Sequence, residues 1–438
     1  MKHYSELKDV DSGYYTIKKK KKKVSDTIYS FDIETSSLFE FLDGWDVFRY
    51  EEPPSTYSMI NKIGLCYLWQ FGINDEVYYG RELYEFEDVL KQISDPVITK
   101  VIWVHNLSFE FGTLPCILKK YTIEDMCARD IRKPISFHIK ELNIDFRCSY
   151  MLTNLSLKKA SEEYTNIRKL DTLDYTSKVR TPLSTLTNDE LMYAEYDCLC
   201  VYEIIKYYMK QYKNHVACIP LTSTSEVRKA LQKHVDFYYI KHQWDLVPSM
   251  DMYLKLMACF QGGYTHANVL HVNRVHKDVS SYDISSSYPS VMVLEKFPRT
   301  PFLYIDEEDY NEMKKTDKYC FIFKVKLYYI DSKYYNNYIS YSRCLDVDEK
   351  TLIYDNGRIK KTKRVELYCT DVDLEIIQEN YKIGKIIYEE IYYSEKSYLD
   401  IRVIKFILEM YGNKTKLKGV SDKVDLYKKS KAYINSLY

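Results

Sequence analysis

Three stretches in the first half of the chain combine residue types that could do metal-dependent phosphate chemistry. Asp32-Ile33-Glu34 sets two carboxylates two residues apart. On a strand such side chains share a face, so both can reach one metal pair. With 63 acidic residues in 438, an acid-x-acid triplet standing alone is more often a solvated strand end. Val104-His105-Asn106-Leu107-Ser108-Phe109-Glu110 reads as a strand end and a helix start, with Asn106 suited to the cap and Glu110 one turn further on. Tyr193-Ala194-Glu195-Tyr196-Asp197 lies on a helical pattern with Tyr193 and Asp197 one turn apart on one face. A lone Tyr193 would ordinarily be a buried aromatic. In the second half, Tyr282-Asp283-Ile284-Ser285-Ser286-Ser287-Tyr288-Pro289 carries an acid ahead of a proline-marked turn. Lys431-Ala432-Tyr433-Ile434-Asn435-Ser436-Leu437-Tyr438 puts Lys431 and Asn435 on one helix face.

An α/β domain must position the first group. Thr27–Glu34 reads as a strand that ends at the acidic pair. Further strands are expected at Lys62–Phe71, Lys100–Val104, Pro134–Ile139 and Glu141–Arg147, and helices at Tyr84–Ile93 and Asn188–Tyr212. This domain is expected to end near residue 215. Ahead of it, Lys18 to Lys23 reads as a solvated loop or tail. Beyond it come a helical stretch at Thr224–Phe237, the paired Gly262-Gly263 as a hinge, a strand- and tyrosine-rich region over 296–395, and a helix over Val420–Tyr438.

In their order, the first three stretches resemble the motifs of the tyrosine-bearing DEDD-type 3′→5′ exonucleases. That resemblance implies that Asp32, Glu34, Glu110 and Asp197 bind two Mg²⁺ or Mn²⁺ ions, with Glu110 standing where the family has aspartate. Two cations ~3.5–4 Å apart generate hydroxide and stabilise the leaving alkoxide. By the same resemblance Tyr193 orients the attacking water, and His105, Asn106 and Phe109 hold the frayed 3′ end of DNA. Lys169, within Lys169-Leu170-Asp171-Thr172-Leu173-Asp174-Tyr175, would neutralise the scissile phosphate, with Arg168 as competitor. Ser149 falls at a single-strand-binding position, followed by Tyr150 where the family has leucine.

The second-half stretches resemble the first two polymerase motifs of the protein-primed family B DNA polymerases of phages and linear plasmids. By resemblance Asp283 and the backbone of Ile284 ligate the catalytic metals, and Tyr288 selects dNTPs by excluding a 2′-hydroxyl. Lys431, Asn435 and Tyr438 would meet the dNTP and templating base, with Lys431 neutralising developing phosphate charge. Phe260-Gln261-Gly262-Gly263 resembles a linker whose Phe260, Gly262 and Gly263 contact template DNA, glycine allowing close backbone approach. Lys158, Lys159 and the Thr370–Glu375 segment also read like this branch.

The implied fold class is an α/β exonuclease domain, ribonuclease H-like, with a mixed sheet flanked by helices. An incomplete α+β palm with an inserted subdomain and the start of the fingers follows. The implied bounds are 1–215 for the exonuclease (1–26 lysine-rich), 216–299 for linker and first palm, 300–395 for the insertion and 396–438 for the palm/fingers helix. The third polymerase motif, an aspartate pair, does not follow Lys431; Asp346-Val347-Asp348 and Asp371-Val372-Asp373 precede it, in the wrong order. The expectation is therefore that the chain does not polymerise alone. It is either completed by a second polypeptide bearing the third motif and thumb, a stand-alone 3′→5′ exonuclease, or a non-catalytic remnant binding DNA or a terminal priming protein. Expected partners are primer–template DNA, single-stranded 3′ ends and dNTPs.

Composition sets the outer limits. Lysine plus arginine balance aspartate plus glutamate at 63 each, so net charge does not announce a polyanionic partner, although residues 411–438 hold seven lysines against two aspartates. The 46 tyrosines fit an AT-rich gene. Eleven scattered cysteines without a C-x-x-C pair argue against a disulfide framework or zinc site and for a reducing, cytoplasmic home. No apolar run approaches the ~18 residues of a membrane span, so no membrane partner is expected.

Overall fold

The computed structural model describes the chain except residues 9–12, 19–20, 42–43, 47–58, 131, 172, 174–179, 266–270, 285, 335–336, 421–422 and 437–438. Two units result, Met1–Glu226 and Val227–Tyr438, with the division falling inside one helix (Ser223–Leu231).

Among the described residues the first unit is built on eleven strands: β1 (Lys2–His3), β2 (Tyr14–Ile17), β3 (Lys22–Ser25), β4 (Tyr29–Phe41), β5 (Gly44–Asp46), β6 (Met59–Ile73), β7 (Glu76–Gly80), β8 (Ile98–Val104), β9 (Ile123–Ala128), β10 (Pro134–Ile139) and β11 (Ile144–Cys148). The main order is β1-β7-β6-β4-β8-β11-β10-β9. It is a mixed sheet: β4 runs antiparallel to β6 but parallel to β8, and β8 parallel to β11. Helices α1 (Leu83–Ile93), α2 (Leu107–Glu110), α3 (Pro115–Leu118), α4 (Tyr150–Thr153), α5 (Leu157–Tyr164) and α6 (Asn188–Gln211) cover its faces.

Alternation along β8 shows why two helical layers are needed. Ile102 and Val104 enter the core shared with α1, whereas Val101 and Trp103 face the core shared with α5 and α6. On α1, Phe86, Val89, Leu90 and Ile93 recur at helical spacing and are buried, and Phe86 stacks on Phe31 of β4 at 4.0 Å. Gly72 of β6 lies where any side chain would strike the Ser30 hydroxyl on neighbouring β4.

Two expectations change here. The lysine run is not simply a tail: Lys22 and Lys23 form β3, Lys22 is paired with Asp145 at 3.0 Å and Lys23 lies over the Tyr14 ring. Lys19 and Lys20 lie outside the described residues. The acidic pair is not at a strand end either, because β4 continues to Phe41 past a register shift between Glu34 and Thr35. Hydrogen bonding to β6 holds the strand through and beyond the carboxylates.

The second unit holds α7 (the helix at the division), α8 (Phe237–Asp245), α9 (Met250–Cys259), α10 (Ser287–Leu294), α11 (Glu307–Met313), α12 (Asp371–Asn380), α13 (Ile401–Leu417) and α14 (Val424–Asn435). The expected helix over Thr224–Phe237 ends early, at Leu231, and Phe237 opens the next helix, which Asp236 caps by accepting from the Tyr239 amide at 2.9 Å. An antiparallel sheet comprises β12 (Phe297–Pro298), β13 (Leu303–Ile305), β14 (Tyr319–Ser332), β15 (Asp346–Val347), β16 (Ile353–Asp355), β17 (Arg358–Thr370), β18 (Tyr381–Lys382) and β19 (Lys385–Ser397). In β14, Phe323, Val325 and Leu327 point into a core completed by Leu374 and Ile377 of α12. On the other face Lys324 and Lys326 meet Glu366 and Glu389.

Candidate active site

The carboxylates converge in the first unit, on the face of the sheet covered by α6. Phe31 and Ile33 turn into the α1 core, so Asp32 and Glu34 turn the other way. α6 delivers Asp197 from the far side of that layer. One oxygen each from Asp32, Glu34 and Asp197 lies within 4.8 Å of the others. Glu34 and Asp197 are buried and Asp32 is partly open to solvent. Glu110, also buried, comes from the single turn α2 and brings its carboxyl beside that of Asp32.

Burial first, and then mutual repulsion, dominates the electrostatics. The Asp32 carboxyl is pushed up to about 7 by withdrawal from water, the Asp197 charge adding and Lys169 opposing. Glu110 is raised well above the ordinary carboxylate range by burial, with Asp32 reinforcing. Asp197 is raised by burial against the pull of Lys169. For Lys169 burial works against the charge, yet Asp197 and the Tyr193 hydroxyl hold its pKa above that of an ordinary lysine.

These groups fit a divalent cation. All four donors are hard carboxylate oxygens, Glu110 Oε2 and Asp197 Oδ1 are buried without a partner among the described residues, and a cation would relieve each raised carboxyl.

Lys169 lies against the cluster, its Nζ bonded to Asp197 Oδ2 and 4.7 Å from the Tyr193 ring centre. Arg168 is occupied elsewhere, its guanidinium donating to the carbonyls of Ser161, Thr165 and Ile167. Within the accompanying element, Thr172, Asp174 and Tyr175 lie outside the described residues. Phe109 is 52% exposed beside the buried Glu110. Asn106 occupies the cap position of α2, but in the left-handed region (φ 70°), and its side chain makes no capping bond. That correction leaves its amide exposed.

Two residues expected to contact DNA have partners within the protein. Ser149 is fully buried, its hydroxyl held by His105 Nδ1 at 3.0 Å and the Val104 carbonyl at 3.4 Å. His105 uses its other nitrogen on the Leu155 carbonyl at 3.1 Å, and burial lowers its pKa to about 4. With both nitrogens engaged, the ring ties the end of β8 to Ser149 and Leu155, on either side of α4. Sequence reasoning missed Gln70, which lies opposite Asp32 in the β4–β6 register and donates to Asp32 Oδ2 at 2.9 Å. Its only sequence signal is a polar residue between two aromatics in an apolar strand.

In the second unit, Asp283, Ile284 and Tyr288 are exposed at the approach to α10, which Ser286 enters with φ 53°. Ser285 lies outside the described residues. Lys414 of α13, which was not singled out from sequence, donates to Ser286 Oγ at 3.2 Å. α10 packs on α13 and α13 on α14, whose exposed Lys431 and Asn435 are one turn apart; Tyr438 lies outside the described residues. Phe260 is exposed at the end of α9, and side chains built at Gly262 or Gly263 would meet nothing within 4 Å. The out-of-order acids have structural tasks. Asp373 caps α12 through Thr370, Asp371 accepts from the Phe321 amide at 3.1 Å, Asp346 pairs with Arg364, and Asp348 accepts from Thr351 at 2.9 Å.

Residues 171–438 match the family model of DNA polymerase type B, organellar and viral. The chain belongs to this family. Solved structures of phi29 DNA polymerase share its fold. In complex with single-stranded DNA, that enzyme aligns with TM-score 0.61 and 16% identity over 94% of this chain and 67% of the other. The complex with primer–template DNA and incoming nucleotides aligns with TM-score 0.56 and 16% identity over 95% and 68%. No curated protein matches. The likeness bears out the expected fold class for this type B polymerase: a mixed sheet flanked by helices, followed by palm and fingers elements.

Proposed function

We propose that this type B polymerase removes nucleotides from 3′ ends with its first unit and carries in its second part of a protein-primed nucleotide-transfer site, which does not polymerise alone. The observation that carries the nuclease reading is the convergence of Asp32, Glu34 and Asp197 oxygens within 4.8 Å, with Glu110 and Lys169 against them. Asp32, Glu34, Glu110 and Asp197 would hold two Mg²⁺ or Mn²⁺ ions, which supply an activated water and stabilise the leaving oxygen. Lys169 brings a fixed positive charge to the scissile phosphate from outside the carboxylate set. Tyr193, buried on the same face of α6, orients the water through its hydroxyl. Phe109 stacks on the terminal base and Asn106 bonds to it, which selects an unpaired end.

In the second unit Asp283 and the Ile284 carbonyl would hold the polymerase cations and Tyr288 would lie under the incoming sugar. Lys431, Asn435 and Tyr438 would meet the triphosphate and the nascent pair. Phe260 and the open backbone at Gly262-Gly263 would meet template. The domain bounds set out from sequence, including the 300–395 insertion as the surface for DNA and a terminal priming protein, belong to the same proposal.

The purified chain is incubated with 5′-labelled primer–template and Mg²⁺, with and without dNTPs, beside Asp32→Ala/Glu34→Ala and Asp283→Ala variants. Primer shortening that vanishes in the first variant and persists in the second is expected, since the first removes two ligands at once. Shortening that survives the double substitution would sink the nuclease assignment. Any dNTP-dependent extension should vanish with Asp283→Ala.

A further inference from the structure

Gln70 is fully buried in β6 between Trp69 and Phe71, both of which enter the α1 core. An amide in such a place is costly unless its bonds are made. Only half are: Nε2 donates to Asp32 Oδ2 at 2.9 Å, while Oε1 is buried with no partner among the described residues. The strand register places Gln70 directly opposite Asp32. Behind it, the thiol of Cys198, the neighbour of Asp197 on α6, donates to the Gln70 backbone carbonyl at 3.6 Å. One residue thus touches the strand that carries Asp32 and the helix that carries Asp197.

We propose that Gln70 is a positioning residue of the cation site, fixing the plane of the Asp32 carboxylate. An aspartate rotates freely about its last side-chain torsion, and a donor anchored in the sheet removes that freedom before a cation arrives. Outer partners of this kind govern how tightly ligands hold a metal. The inference rests on the reading of Asp32, Glu34 and Asp197 as cation ligands.

The test is Mn²⁺ binding to the full chain by calorimetry, comparing wild type, Gln70→Met and Asp32→Ala/Glu34→Ala, with thermal melting in EDTA alongside. Methionine keeps the length and removes the donor together with the orphaned carbonyl. The expected result is Mn²⁺ affinity about tenfold or more weaker in Gln70→Met, with a Tm in EDTA no lower than wild type. Nuclease activity should return as Mn²⁺ is raised, a change in metal KM and not in kcat. Equal Mn²⁺ affinity in wild type and Gln70→Met would overturn the inference and leave the nuclease reading standing. Wild type binding no better than the Asp32→Ala/Glu34→Ala control would overturn both. If Gln70→Met does not fold, Gln70→Leu is judged by the same criteria.

Discussion

Lys169 was read from sequence as the cation for the scissile phosphate with Arg168 as its competitor, and their surroundings separate them. Lys169 reaches Asp197 and Tyr193, whereas Arg168 is consumed by the carbonyls of Ser161 in α5 and of Thr165 and Ile167 just after it. Lys169→Ala should lower the single-turnover nuclease rate on a labelled single strand by about 10²-fold, the usual loss when one preorganised charge partner is removed. Arg168→Ala should change that rate by less than about threefold; the reverse ranking would reassign the phosphate contact. Glu110 was legible as the third acid, but its length raised the question of reach. The structure brings it to Asp32 with one oxygen still without a partner among the described residues. Ser149 and His105 were each read from sequence as DNA contacts, and only packing shows them bonded to each other.

Among the elements, α6 carries Tyr193 and Asp197, so its start must be fixed. Thr187 caps it in a reciprocal box with Glu190, which also receives Arg180 at 2.6 Å. Burial alone would raise the Glu190 carboxyl, but the Thr187 amide and Arg180 hold it down at about 2. A depressed carboxyl contributes stability above its unfolded pKa of about 4.3, and that contribution is lost as pH falls from about 4.5 towards 2. Glu190→Gln should therefore be less stable than wild type at pH 7 by about 2–4 kcal/mol, since Arg180 stays buried. The gap should close between pH 4.5 and 2, as read from paired urea melts. A gap constant with pH would show that the carboxylate charge contributes nothing. The strands and helices of this unit were legible because their apolar residues repeat at 2 or 3.6; the reach of β4 past Glu34 was not. Its continuation depends on pairing with β6, a partner remote in sequence.

At the scale of the whole molecule the two units carry separate cores, one around β4, β8 and α1 and another around β14, β17 and α12. Phe323→Ala, in the second core, should destabilise that unit by about 3–5 kcal/mol in urea melts. The nuclease rate of the first unit at low temperature should stay unchanged, and a parallel fall in that rate would show that the two do not melt independently. The sequence by itself determined the identity and order of the acids, the helix faces that carry Tyr193 with Asp197 and Lys431 with Asn435, and the α/β character of the first unit. Each follows from local periodicity and spacing within a few residues. Only the tertiary structure decided that β4 runs on beyond its acids and that Lys169, not Arg168, lies against Asp197. It alone joined His105 to Ser149, employed Asp373 in capping α12 and Asp371 on the β14 backbone, and set Gln70 opposite Asp32. Each of those depends on which remote strand or helix lies alongside, and a hydrogen bond or a buried charge is settled by that neighbour rather than by the residue's own place in the chain.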